Sequence, residues 1–384
     1  MANGLAPYLL LQLAAIFDGK AGAKKITPPG FTKMLLEGPQ PDVVSASKSD
    51  NMGNIRDVHF YYRQPGVAGA SATTDNCDVD ATITRREQVI PSTLFRKKTL
   101  FFDDSLIAQY DKEAKGIVKP NINGQGEIME LNDSNFKGVL KEVYDIIIEQ
   151  VGRGLIADIN NDLLGLQAAA FGVNNVSGSN AARMVNFPLN ATNLSLQAGM
   201  TQVIAEARQN EFNLDDAYII GGGLLDNYMV NAMYNAITPN QAGLNNAALN
   251  IAKKYFYDVA TQSAWGANQF GIFDKGTTQF LDINRFVGFK AGHRPGSIFF
   301  NAPLPLVDSL GDTSLSKMNF DWQIEYSSCP QTISIDGTNQ SVGRGWIVTI
   351  SKSYYLVNQP TDMYQLSDRL FGSNGTLRYT ATNA

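Results

Sequence analysis

Three consecutive glycines are the most enzyme-like feature of the sequence. Gly221, Gly222 and Gly223 follow an apolar segment, 217–220, that predicts a strand, and they precede a predicted helix over 224–237. A glycine turn between a strand and a helix can bind phosphate through its backbone N–H groups. This turn matches neither G-x-G-x-x-G nor the P-loop, and no Lys-Ser or Lys-Thr follows it. A tight strand-to-helix turn is the favoured interpretation, and a soluble enzyme or ligand-binding protein that uses the turn is the alternative.

The other residue types that could perform chemistry form no catalytic pattern. Adjacent carboxylates occur at Asp103-Asp104 and Asp215-Asp216, but neighbouring residues of a strand face opposite sides. The two cysteines and two histidines of the sequence are too few for a Cys/His zinc site. A catalytic serine or cysteine would need a positioned base, and the sequence has no G-x-S-x-G. We therefore predict no catalytic residue, no metal, no cofactor and no enzymatic activity.

Basic residues cluster around the base of a predicted hairpin, at Arg85, Arg86, Arg96, Lys97 and Lys98. Solvated surface charge is the simplest interpretation of these residues, and direct contact with DNA is another. Our hypothesis is that these five residues are intersubunit contacts that face carboxylates of a neighbouring copy. Desolvation at such an interface raises the cost of removing one partner of a charge pair.

The composition is that of a folded chain with an unusually low charge content. Hydrophobic residues make up 44% of the 384 residues, and charged residues make up 17%, below the quarter that is typical of soluble domains. Charge depletion also characterises the buried centres of subunit interfaces. The net charge of −5 argues against a general nucleic-acid binder. We expect folding in a reducing cytoplasm and no membrane partner, because no segment has the length of a membrane span.

Residues 134–172 predict one long helix that organises the rest of the chain. Its apolar residues recur every three or four positions, which places them in one stripe: Leu140, Val143, Ile147, Val151, Leu155, Ile159, Leu163, Leu166 and Ala170. Asn132, Asp133 and Ser134 supply N-cap oxygens, and Gly172 is suited to the C′ position. Internal glycines make a kink conceivable, so two consecutive core helices are the alternative.

The segments that flank this helix predict an arm, a hairpin and two sheet-forming regions. Residues 1–53 carry Gly and Pro breakers typical of an extended arm, and 54–102 predict a hairpin with strands over 55–62 and 79–90 and a small-residue tip over 66–76. Such a hairpin is marginal alone and points to a neighbour. Residues 215–305 predict a compact α/β unit. The closing strands include 346–357, whose alternation places Lys352 on one face with Val348 and Ile350.

This order of elements resembles that of the major capsid protein of tailed double-stranded DNA bacteriophages, the Hong Kong 97 type. The local similarities are Tyr218-Ile219-Ile220, Leu224-Leu225-Asp226 and Gly345-Trp346-Ile347-Val348. The resemblance implies an α+β fold with an N-terminal arm, an extended β-hairpin loop, a long spine helix, a peripheral domain and a compact axial α/β domain. The implied ranges are 1–53 for the arm, 54–102 for the loop, 103–214 for the peripheral domain with its helix at 134–172, 215–318 for the axial domain and 319–384 for the closing strands.

The same resemblance implies the function. The chain would be a structural subunit of an icosahedral phage capsid that self-assembles into pentamers and hexamers around a double-stranded DNA genome. It would enclose the DNA without strong specific binding, be assembled in the host cytoplasm and reside in the virion. Implied partners are other copies of the chain and scaffolding, portal and decoration proteins. An encapsulin-type nanocompartment shell protein is the alternative with the same fold.

Overall fold

The computed structural model describes the following parts of the chain: 24–38, 43–45, 57–63, 85–106, 108–109, 118–120, 126–128, 139–171, 182–187, 195–209, 212, 216–235, 254–285, 290–291, 297–308, 312–315, 318–328, 331–335, 338–359 and 374–382. Structural statements below concern these residues. The predicted hairpin tip at 66–76 and the predicted helix start at 134–138 lie outside them, as does most of the arm.

Eight helical segments lie within the described residues. They are α1 (Gly30–Glu37), α2 (Val139–Ile146), a π-helical turn (Ile147–Gly152), α3 (Arg153–Ala170), α4 (Ser195–Gln209), α5 (Leu224–Asn235), α6 (Thr261–Ala264) and a 3-10 turn (Thr313–Leu315). The α2 segment, the π turn and α3 follow one another without interruption. We call residues 139–170 the long helix.

The strands outnumber the helices and are mostly short. They are β1 (Val43–Ser45), β2 (Val58–Arg63), β3 (Arg85–Ile90), β4 (Leu94–Asp103), β5 (Val118–Pro120), β6 (Gly126–Ile128), β7 (Arg183–Asn186), β8 (Tyr218–Gly221), β9 (Tyr255–Tyr257), β10 (Gln269–Phe273), β11 (Thr278–Ile283), β12 (Lys290–Ala291), β13 (Ile298–Pro303), β14 (Asn319–Ser327), β15 (Gln331–Ile335), β16 (Thr338–Val342), β17 (Gly345–Asn358) and β18 (Thr376–Thr382). The mixture of helices and largely antiparallel strands confirms the predicted α+β class.

The long helix confirms the prediction of a single element over 139–170, where it is roughly 48 Å long at a rise of about 1.5 Å per residue. Its buried stripe includes Val143, Leu155 and Ile159. The π turn interrupts the α geometry where the N-terminal segment approaches: a Cβ on Gly152 would lie 2.7 Å from Ile26 Cδ1. Glycine at this position therefore permits the close contact.

The largest sheet is built around β17. It has six strands in the order β11-β17-β14-β13-β12, and β4 also pairs with β17. On one edge of β17, β4 pairs with residues 345–354. On the other edge, β14 pairs with residues 345–351 and β11 pairs with residues 353–358. The long helix and α1 pack on this sheet and share one hydrophobic core with it.

A second sheet has five strands in the order β7-β18-β10-β8-β9. Its own hydrophobic core includes residues of α4 and α5. The predicted range 215–318 contributes strands to both sheets, because β8 to β10 lie here while β11 to β13 lie in the six-stranded sheet. Sequence proximity did not indicate this division, and the domain limits stay a prediction.

The predicted hairpin is present as β2 and β3, which pair from Val58 opposite Ile90 to Arg63 opposite Arg85. The arm contributes β1, which pairs with β2. At the base of the hairpin, Val58 and Ile90 are buried with residues of β11 and β17 in a small cluster. Only three residues separate β3 from β4, so the hairpin leads directly into the six-stranded sheet.

Candidate intersubunit contact surface

Arg96 lies on β4 and binds the long helix of its own chain. Its Nε donates to Asp162 Oδ2 at 2.7 Å and its Nη2 donates to Asp162 Oδ1 at 2.8 Å, a two-bond arrangement that is among the stronger ion-pair geometries. The Tyr354 hydroxyl donates to the same carboxylate. Burial raises the pKa of the Asp162 carboxyl, but these hydrogen bonds and the Arg96 charge outweigh burial, and the net pKa is lowered.

Lys98 repeats the contact one turn earlier on the helix, where its Nζ lies 3.5 Å from Asp158 Oδ2. Residues two apart on a strand are separated by about 6.8 Å, and residues four apart on a helix are separated by about 6 Å. The spacing of Arg96 and Lys98 therefore matches that of Asp158 and Asp162. These carboxylates were not identified from the sequence, because the match between strand and helix spacing arises only after the two elements pack.

The other three cations of the predicted set lie on β3 and β4. Lys97 is exposed, between Arg96 and Lys98 on the strand, and alternation places it on the opposite face of β4. Arg85 and Arg86 lie on β3, where their backbones pair with Arg63 and Tyr62. The structure supplies intrachain partners for Arg96 and Lys98. The side chains of Arg85 and Arg86 lie outside the described part of the chain, and the intersubunit role of Arg85, Arg86 and Lys97 stays a prediction.

A buried charged group lies close to this surface, in the core. Lys352 of β17 is fully buried, and its Nζ contacts the Asp282 carboxylate, the Asn319 carbonyl oxygen and Asn284 Oδ1, the last at 2.9 Å. The Phe320 ring centroid is 5.8 Å from Nζ. Burial lowers the pKa of the Lys352 amine, although the charge of Asp282 opposes this effect. Burial likewise raises the pKa of Asp282.

Lys352 occupies the position where β17 changes partners. Ser351 is the last residue of β17 that pairs with β14, and Ser353 is the first that pairs with β11. On the β14 side of this seam, Asp321 is buried and accepts from the Arg285 backbone N–H at 3.1 Å and from Asn301 Nδ2 at 2.7 Å. The seam therefore brings charged and amide groups together inside the sheet.

The N-terminal segment is fixed to the core by a second polar network. Buried Asp258 accepts from the Phe31 backbone N–H and from Asn160 Nδ2, each at 3.0 Å. Asn160, on the long helix, accepts in turn from the Thr32 N–H at 3.0 Å and the Thr32 hydroxyl at 2.8 Å. These bonds pair the polar groups at the start of α1 and hold that helix against the long helix.

The glycine turn is filled by side chains of its own chain. Gly223 has φ +62, in the left-handed region, and a Cβ there would lie 2.6 Å from Asn268 Oδ1. Asn268 Oδ1 accepts from the Leu224 N–H at 3.2 Å, and Gln262 Oε1 accepts from the Asn268 N–H at 2.6 Å. The helix N-terminus is thus already capped, which supports the favoured interpretation of a tight structural turn.

The acidic pairs also have structural surroundings where they are described. Asp103 accepts from the hydroxyl and N–H of Ser105, and the hydroxyl bond is the largest cause of its lowered pKa. Asp104 accepts from the Tyr326 hydroxyl at 2.9 Å. Asp216 lies 3.5 Å from Lys275 Nζ, and Asp215 lies outside the described residues. Within the described ranges, no group of three or more His, Cys, Asp or Glu could hold a metal ion.

No family model and no curated protein matches the chain. The chain is similar to phage capsid structures. The capsid of cyanophage P-SCSP1u matches with 10% identity, 90% coverage of each chain and a TM-score of 0.38. The capsid of Staphylococcus phage Andhra matches with 10% identity, coverage of 94% of this chain and 86% of that one, and a TM-score of 0.35.

A virus-like particle from Pyrococcus furiosus is also similar, with 7% identity, coverage of 83% of this chain and 85% of that one, and a TM-score of 0.34. At such low identities and TM-scores, function is argued from the geometry of the chain itself.

No helix among the described residues is long and apolar enough to span a membrane.

Proposed function

We propose that this chain is a structural subunit of an icosahedral phage capsid, that it assembles through pentamers and hexamers, and that it encloses double-stranded DNA. The observation that carries the proposal is the attachment of the hairpin. Val58 and Ile90 pack at its base, and a hairpin of two strands with one short added strand is marginal without further burial. A neighbouring copy under the hairpin would provide that burial.

The frame behind the hairpin supports the same proposal. Strand β4 continues from the hairpin, pairs with β17 over ten residues and is ion-paired to the long helix through Arg96 and Lys98. A force on the hairpin is therefore passed to the central sheet and to the long helix. This rigid connection suits a subunit that is held in place by contacts with its neighbours.

The remaining cations are proposed to complete those contacts. Arg85, Arg86 and Lys97 would face carboxylates of an adjacent subunit, whereas the chain as a whole, with net charge −5, would confine DNA without binding it strongly. Scaffolding, portal and decoration proteins are further proposed partners. The subunit would be assembled in the host cytoplasm, reside in the virion and have no enzymatic activity.

Removal of the hairpin tip, residues 66–76, tests the proposal. We expect a folded subunit with unchanged circular dichroism that forms few particles by light scattering and negative-stain microscopy. A matched variant that replaces the tip with a Gly/Ser segment of equal length separates the tip sequence from the hairpin length. Unchanged particle yield and thermal stability in both variants would show that the hairpin is not an intersubunit strap.

Charge reversal tests the cations. The double variant Arg85→Glu, Arg86→Glu is expected to fold normally and to lose assembly, and Lys97→Glu is expected to act in the same direction more weakly. Normal particles that lose their DNA would instead identify these residues as genome contacts. Particles that contain protein cargo and no DNA would favour the nanocompartment alternative.

A further inference from the structure

Two strands share one edge of β17 end to end, and Lys352 lies where they meet. Strand β14 pairs with β17 as far as Ser351, and β11 pairs with it from Ser353 onward. Lys352 is fully buried, on the face of β17 that also carries Ile350 and Tyr354. An ammonium group in such surroundings is costly unless it is paired. A lysine at this junction therefore calls for a structural reason.

The acceptors around the ammonium group belong to both strand ends. Lys352 Nζ contacts the Asp282 carboxylate near the end of β11, and it lies 2.9 Å from the amide oxygen of Asn284, just beyond that strand. It also donates to the carbonyl oxygen of Asn319, the first residue of β14. The Asn319 backbone N–H in turn donates to Asp282. Since an ammonium group has three N–H donors, these acceptors match it and tie the two strand ends to β17.

Strand β11 also carries the base of the hairpin, on its opposite face. Leu281 of β11 is buried in one cluster with Val58 of β2 and Ile90 of β3. Side chains alternate along a strand, so Asp282 faces Lys352 while its neighbour Leu281 faces the hairpin. The position of β11 along β17 therefore decides where the hairpin base can pack.

The apolar pattern of β11 does not fix this position alone. A shift of β11 by one residue would turn every side chain to the other face, but a shift by two residues keeps each side chain on its face. After such a shift Ile283 would take the place of Leu281, and an apolar side chain would still face the hairpin. Asp282 would instead move by about 6.8 Å along the strand, out of reach of Lys352. The charge pair therefore distinguishes the observed register from one that apolar packing tolerates.

We propose that Lys352 is a positioning residue, whose ammonium group fixes the register of β11 on β17 and thereby sets the position of the hairpin base. A buried ion pair adds little net stability against apolar replacements, and specifying one register is its best-attested use. That the positioned hairpin then lies on a neighbouring copy rests on the proposed function. The register itself belongs to a single chain, so it is measured separately from particle assembly.

Replacement of both members of the pair by apolar residues tests the proposal. The double variant Lys352→Met, Asp282→Leu leaves neither member unpaired, so we expect the full-length chain to fold. Hydrogen exchange of the backbone amides in residues 58–63 and 85–90 should become faster by about tenfold, and exchange in the long helix should stay unchanged. Variant and wild type are compared at equal assembly state, which sedimentation checks.

A disulfide reports the register directly. Thr278 of β11 lies opposite Asn358 of β17, and their side chains meet at 2.7 Å. The substitutions Thr278→Cys and Asn358→Cys, with native Cys77 and Cys329 replaced by serine, should give a disulfide when Lys352 and Asp282 are present. Its yield should fall several-fold in the double variant. Unchanged hydrogen exchange in the hairpin strands, or an unchanged disulfide yield, would overturn the proposal.

Two further variants separate register from general destabilisation. Arg183→Met, Glu206→Leu removes an ion pair between β7 and α4, at 2.6 Å, and should leave both readouts as in wild type. Asn284→Ala removes one acceptor of the ammonium group and keeps both charges, so it should fold and speed hairpin exchange by roughly threefold. It decides the question if the double variant does not fold. A control that loosens the hairpin equally, or wild-type exchange in Asn284→Ala, would contradict a positioning role of Lys352.

Discussion

Two ion pairs flank the same region of the six-stranded sheet and differ chiefly in their access to water. Arg96 on β4 and Asp162 on the long helix meet near the surface, with side chains 50% and 22% exposed. Lys352 on β17 is fully buried and meets Asp282 on β11, whose side chain is 21% exposed, so the two pairs differ in the burial of their cations. Arg96 of β4 lies directly opposite Lys352 of β17. Neighbouring positions of one sheet therefore carry the exposed and the buried cation.

Similar ion pairs in one sheet therefore contribute differently to stability, according to the burial of their cations. An exposed pair contributes little because water and salt screen it. A buried pair gives little net stability against an apolar replacement of both members, yet removal of one member leaves an uncompensated charge in the core. The exposed pairs align β4 on the helix, while the buried lysine lies at the position where β17 exchanges β14 for β11.

Lys352→Met should produce the largest effect. The substitution leaves the Asp282 carboxylate without its cation, so we expect a loss of about 3–5 kcal/mol in the free energy of unfolding by urea. Exposed Lys97→Met is the control and should change that free energy by less than about 0.5 kcal/mol. Equal losses of unfolding free energy in the two variants would show that burial does not determine the effect of removing a lysine.

A buried carboxylate that is paired with neutral donors sharpens the comparison. Asp258 accepts from the N–H groups of Phe31 and Ala260 and from the Asn160 amide. Asp258→Ala leaves these donors unpaired, for which we expect a loss of about 3 kcal/mol and faster proteolysis within residues 24–38. Slower or unchanged cleavage there would mean that Asp258 does not fasten the N-terminal segment.

Arg96→Met should be mild. Because half of the arginine side chain is exposed, its removal is expected to cost at most about 1 kcal/mol, and the cost should shrink in high salt. The Lys352→Met effect should persist in high salt, because the core excludes ions. Urea titrations at low and high sodium chloride measure both, and a salt-insensitive Arg96 effect would contradict the assignment of this pair as a screened surface contact.

The pH dependence of Asp162 should be the smallest effect. A carboxyl group whose folded pKa is lowered stabilises the fold above its unfolded pKa of about 3.9, and this contribution disappears as pH falls through the lower folded value. The stability difference between wild type and Asp162→Asn should therefore be constant near neutral pH and shrink below about pH 4. A difference that grows on acidification would have the wrong sign.

Local patterns in the sequence were enough to predict several elements. The three-to-four spacing of apolar residues identified the long helix, and alternation identified the strand observed at Gly345–Asn358. Alternation also placed Lys352 with Val348 and Ile350, which the structure confirms. The π turn at Ile147–Gly152 was not predicted, because it coincides with a contact from distant Ile26 that no local pattern encodes.

The candidate site was predicted less completely than the elements. Sequence analysis selected Arg96 and Lys98 but could not select Asp158 and Asp162, since the match between strand and helix spacing arises only after the two elements pack. The partners of Lys352 lie at residues 282, 284 and 319, and nothing in the sequence indicates that β17 changes neighbours at that point. Nonlocal pairing of strands determines both sites.

The central claim is that this chain builds a closed shell from copies of itself. Sedimentation velocity combined with negative-stain microscopy of the purified full-length chain, alone and with a scaffolding protein, tests it most directly. We predict uniform closed particles with icosahedral outlines, and their loss in the hairpin-tip deletion while the subunit stays folded. A chain that sediments as a monomer or small oligomer under every assembly condition would contradict the claim.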